Sequence, residues 1–180
     1  DFRRAMRKVD KDFGRDWWFK VWGPDKLVGE GIGTREQWML GANEKWHGFG
    51  NRAPGFNLLD PIKSTIVTPG LDVAGKFAKT GIPASIVTKF LAEHGVVVEK
   101  TGLYSFLVLF SMGVTKGKWS TLVTELLNFK DLYDANAPLE RALPALAQAH
   151  PEAYAGTGLR DLCEAMHAVY RDDAVPKAQQ

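Results

Sequence analysis

The feature that most constrains this chain is the order of patterned segments that begins at Ser64. Ser64-Thr65-Ile66-Val67-Thr68 is β-branched and ends at Pro69-Gly70, a strand followed by a turn. Pro83 then opens a helix at a position where its missing N–H costs nothing, and Gly95 closes it. Ile86, Val87, Phe90 and Leu91 make the buried stripe of that helix. Val96-Val97-Val98-Glu99-Lys100 and Ser105-Phe106-Leu107-Val108-Leu109-Phe110 read as two strands joined by Thr101-Gly102-Leu103-Tyr104, an antiparallel hairpin. A long helix follows, with Trp119, Leu122, Leu126, Phe129 and Tyr133 alternating at three and four. Strand, helix, strand, strand, helix in this order makes a small sheet with helices on one face, an α+β unit.

The residues before Ser64 do not close a core alone. Phe2, Met6, Val9 and Phe13 recur at helical spacing, Arg3, Arg4, Lys8, Lys11 and Asp12 take the other face, and Gly14 stops the helix. Asp1-Phe2-Arg3-Arg4 has no initiating Met and reads as mid-helix, so the expectation is a piece of a longer chain. Trp17-Trp18-Phe19-Lys20-Val21-Trp22 is a short strand-like run closed by Gly23-Pro24-Asp25. From Leu27 to Lys63 the periodicity fades, with one short helix around Arg35 to Leu40. A connection that long packs on something or carries function. After the sheet, Leu139 to Ala149 and Leu159 to Arg171 read as two helices, and Pro176 to Gln180 as a frayed end.

Composition narrows the function classes. Apolar residues at 45% suffice for a core, and 23 Lys and Arg mixed with 21 Asp and Glu leave no basic stripe for nucleic acid. No stretch approaches the ~20 apolar residues of a membrane span. The single cysteine, Cys163, cannot form an internal disulfide, and no Cys/His spacing suggests a metal site. The expected setting is the cytoplasm.

Most chemistry-bearing residues have ordinary explanations. Gly29-Glu30-Gly31-Ile32-Gly33 misses both phosphate-binding fingerprints and reads as a loop. His47, His94, His150 and His167 stand far apart; His94 ends a helix, where a cation suits the dipole. Cys163 lies on an apolar stripe, and Trp46-His47-Gly48-Phe49 reads as packing rather than a pocket lining. Glu99 differs. It follows three valines, at or inside a buried strand, where charge is rare unless paired, and Lys100 points to the opposite face. It is either an edge residue open to water or a carboxylate facing a cleft, able to hold a cation.

The runs Gly81-Ile82-Pro83-Ala84-Ser85-Ile86-Val87, Glu93-His94-Gly95-Val96-Val97-Val98-Glu99-Lys100-Thr101-Gly102 and Leu107-Val108-Leu109-Phe110-Ser111-Met112-Gly113 resemble the ornithine/lysine/arginine decarboxylases, the inducible lysine and arginine enzymes above all. Trp17 to Asp25, Trp46 to Phe49 and Asp60-Pro61-Ile62-Lys63 extend the likeness over nearly the whole chain. The resemblance implies a fold-type-I pyridoxal-phosphate enzyme that turns a basic amino acid into its amine and carbon dioxide, in an assembly of dimers. Residues 1–63 would be the end of the large cofactor-binding domain and its crossing segment, 64–136 the small α+β domain, and 137–180 a helical tail. The family's Schiff-base lysine sits in a Ser-x-His-Lys setting that does not occur here. No catalytic, cofactor-binding or metal residue is therefore assigned, no covalently held pyridoxal phosphate is expected, and the isolated chain should be inactive. Only Glu99 carries over, as the glutamate that contacts the distal cationic end of the substrate. Arginine or lysine is expected in preference to ornithine, and the partners are the rest of the decarboxylase and a second copy. The rival reading is a non-catalytic α+β module that binds another protein.

Overall fold

Alternating β-branched residues and a glycine-punctuated hairpin build the sheet at the centre of the computed structural model, which describes residues 1–14, 18–23, 38–50, 53 and 57–174. Trp17, the glycine run 29–33, most of the helix expected near Arg35 and the end beyond residue 174 lie outside them. β1 (Lys20–Val21), β2 (Lys63–Val67), β3 (Lys100–Thr101) and β4 (Ser105–Leu109) form one antiparallel sheet in the order β1-β2-β4-β3. Ile66 lies opposite Phe106, and both are buried on the side covered by helices. Thr65 lies opposite Leu107, which in turn faces Lys100, on the other side.

Two helices, α2 (Ala84–Glu93) and α3 (Lys116–Asp134), supply the cover. Ile86, Val87, Phe90 and Leu91 of α2 meet Leu122, Leu126 and Phe129 of α3 in one core. The stripe predicted for α2 is buried throughout; on α3 Leu122, Leu126 and Phe129 are buried, and Trp119 and Tyr133 at its ends are half-buried. α1 (Phe2–Phe13) adds Phe2 and Met6 to the same core, and the Phe2 ring lies 4.9 Å from Phe110. Arg3 locks this helix to the sheet by donating to the carbonyls of Trp22 at 3.1 Å and Lys63 at 2.9 Å. Burial and the neighbouring Arg7 lower its pKa to about 10.

Two expectations need correction. The strand expected over Val96–Lys100 is paired only at Lys100–Thr101. Gly95 turns the chain at φ +78°, the Val96 N–H binds Leu91 C=O at 2.8 Å, and the following residues leave the ladder. Val96 and Val98 pack against the core while Val97 is 87% exposed, so strand-like alternation persists without strand pairing. The single helix expected over Leu139 to Ala149 is two, α4 (Leu139–Ala142) and α5 (Pro144–Ala149). Pro144 lacks the N–H that would continue α4 and pushes Leu143 out of the helical region, to φ −139°, ψ 63°. A single turn, α6 (Pro151–Tyr154), precedes α7 (Leu159–Val169), which ends in a π-helical turn at Tyr170–Ala174.

Candidate substrate-recognition site

Glu99 sits on a bend immediately before β3, the edge position open to water that the sequence allowed, and not inside a buried strand. The residue is exposed because the ladder does not reach it, and because β3 is the edge of the sheet. Its backbone is nevertheless fixed, since its N–H donates to Leu107 C=O at 2.8 Å. Among the described residues, no hydrogen bond or ion pair engages its carboxylate. Beside the same segment, Val96, Val97, Val108, Phe110 and Trp119 line a depression of about 330 Å³. Glu99 itself does not line this depression; its exposed carboxylate is able to accept from a cationic group.

A buried polar knot holds the other end of the hairpin. Tyr104, in the turn between β3 and β4, donates its hydroxyl proton to His167 Nδ1 at 2.5 Å. His167 Nε2 lies 2.9 Å from Ala78 C=O and must carry the ring proton, because a carbonyl can only accept. Gly70 and Gly81 make room: a Cβ on Gly70 would strike the Tyr104 ring, and one on Gly81 would strike His167. Burial pushes the Tyr104 hydroxyl up to about 12, with Tyr170 and Cys163 adding smaller effects in the same direction. Sequence reading missed this pair because 63 positions separate its members.

The remaining singled-out residues are structural. His94 caps α2, its Nδ1 2.8 Å from Phe90 C=O. His47 is buried, accepts the Phe49 N–H at Nδ1 and donates from Nε2 to Gly41 C=O at 2.8 Å, inside an aromatic cluster with Trp22 and Trp46. Cys163 is fully buried, and desolvation raises its thiol pKa, which disfavours the nucleophilic thiolate. Among the described residues, no group of three His, Cys, Asp or Glu could hold a metal ion, and no helix is long and apolar enough to cross a membrane.

The described lysines do not fit a pyridoxal-phosphate anchor. Such a lysine is held over the cofactor ring with a lowered pKa. Of the described lysines only Lys130 is buried, and it is committed to the Asp134 carboxylate and to the face of Trp18, 4.6 Å away. The other described lysines are exposed.

Together, the antiparallel sheet and its one-sided helical cover make a mixed α+β unit. The structure overlays lysine decarboxylase A from Pseudomonas aeruginosa with a TM-score of 0.91 at 59% identity, covering 98% of this chain and 24% of that one. The family model described as the Orn/Lys/Arg decarboxylase major domain matches residues 1–118, and the chain belongs to that family. In sequence it is 59% identical to lysine decarboxylase LdcA of Pseudomonas aeruginosa over 99% of this chain. It is 37% identical to the biodegradative arginine decarboxylase of Escherichia coli over 96%. These matches span only 24% and 25% of the two relatives, so the chain is about a quarter of their length.

Proposed function

We propose that this chain is the substrate-recognition wall of a pyridoxal-phosphate-dependent decarboxylase of basic amino acids, with Glu99 binding the distal ammonium or guanidinium. The observation that carries the reading is the exposed, backbone-anchored and unengaged carboxylate of Glu99, in a chain that belongs to the Orn/Lys/Arg decarboxylase family. Lysine or arginine is the substrate in preference to ornithine. The complete protein acts in the cytoplasm as an assembly of copies. Within it, residues 64–136 form the small domain, residues 1–63 end the large one, and 137–180 are a helical tail.

A carboxylate meeting a cation in a water-poor pocket makes a charge-assisted hydrogen bond, stronger than a neutral one. Removing one partner leaves the other buried and unpaired, at a cost on the order of 2–5 kcal/mol. Because the contact exists in both the ground and transition states, its loss raises KM more than it lowers kcat. Steady-state kinetics of Glu99→Gln in the complete enzyme test this. The expected result is a strongly raised KM with unaltered cofactor absorbance; unchanged KM and kcat would remove Glu99 from the site.

The cofactor, when bound, supplies the electron sink for loss of the carboxylate, and its anchoring groups belong to other parts of the protein. The isolated chain is accordingly inactive. Adding pyridoxal phosphate, reducing with borohydride and mapping the labelled lysines should give scattered, substoichiometric labelling and no amine. One stoichiometric site with amine produced would contradict this.

A further inference from the structure

β3 is two residues long and lies at the sheet's edge, which is little to hold a recognition residue in place. Val97 on its approach is 87% exposed, and a slip of one residue would carry Glu99 to the other face. One side-chain link ties this strand to the helix layer. The Thr101 hydroxyl donates to Thr88 Oγ1 on α2 at 3.1 Å, and Thr88 in turn donates to Ser85 C=O, 3.3 Å away, in its own helix. Both hydroxyl protons are thus assigned, in one direction, toward a fixed backbone acceptor.

Thr101 pairs with Phe106 on the helix-covered face, so the link forms in this register and breaks in the slipped one. Glu99 stands two residues from Thr101, on the bend that leads into β3. The position of its carboxylate is therefore coupled to that bond.

We propose that Thr88 is a positioning residue for substrate recognition: through Thr101 it fixes the register of β3 and so holds Glu99 where the distal cation binds. The proposal rests on the reading of Glu99 given above. Its energetic basis is one neutral hydrogen bond, whose loss corresponds to roughly a three- to tenfold effect.

The test uses the complete enzyme and compares kcat/KM for its basic amino acid with that for an uncharged analogue of similar length, norleucine for lysine or citrulline for arginine. Thr88→Val should lower selectivity for the charged substrate roughly three- to tenfold, mainly through KM, and Thr88→Ser should restore it. Should Thr88→Val not fold, Thr101→Val removes the same bond from the exposed side. Equal losses for both substrates, or none, would overturn the proposal. Glu99→Gln is measured beside it. If Glu99→Gln also shows no charge-specific loss, the recognition reading falls and this proposal with it. If Glu99→Gln alone shows the loss, only the positioning role is refuted.

Discussion

Tyr104 shows how one side chain can join three parts of the chain. Its ring fills the space left by Gly70, its hydroxyl reaches His167 on α7, and its carbonyl accepts the Thr68 N–H. This arrangement has a pH signature. The hydroxyl's folded-state pKa of about 12 lies above the unfolded value of 10, as does that of Tyr133, raised to about 12 chiefly by burial. Below pH 10 both states hold the proton and stability is unaffected. Between pH 10 and about 12 the unfolded state binds fewer protons than the folded state, so stability falls as pH rises. Urea unfolding at pH 9 and pH 11 should show this loss, and Tyr104→Phe should flatten its slope. A slope unchanged by Tyr104→Phe would place the loss elsewhere.

Among elements, those with a complete local signal were legible. α1, α2 and α3 follow their apolar periodicity, and the strands β2 and β4 follow their β-branched and aromatic runs. The boundaries that failed depend on tertiary partners. Val96-Val97-Val98 has strand composition, but the ladder begins only at Lys100. Pro144 lies in the middle of the span Leu139 to Ala149 read as one helix, and it divides that span into two. The start of α7 is another case. Gly158 at its N-cap has no side chain to offer, and Asn136 supplies the acceptor from 24 residues away, its Oδ1 3.0 Å from the Arg160 N–H. Asn136 is itself in the left-handed region at φ +45°, and a Cβ on Gly158 would occupy its side chain's place. Asn136→Ala should cost about 1 kcal/mol in denaturant unfolding, as for a lost cap. Gly158→Ala should cost more, because it expels the cap and crowds the backbone. The reverse order would mean that Asn136 does not cap α7.

At the scale of the whole molecule, the residue order draws attention to Glu99 but says little of its surroundings. Glu99 was singled out because a charge after three valines is unusual, and its backbone is indeed fixed by a sheet contact. Its exposure is one of the two readings the sequence leaves open, and where the ladder ends decides between them. The Thr101–Thr88–Ser85 relay was not legible, because it joins residues brought together only when the hairpin folds back over α2. The chain is about a quarter of the length of its relatives, so the role proposed for Glu99 is tested in the complete protein. The most direct test is therefore a structure of the complete enzyme with its bound amine product, cadaverine or agmatine. The account predicts the product's distal cation within hydrogen-bond distance, about 2.7–3.2 Å, of a Glu99 carboxylate oxygen. A distal cation held entirely by other groups, with Glu99 facing solvent, would contradict it.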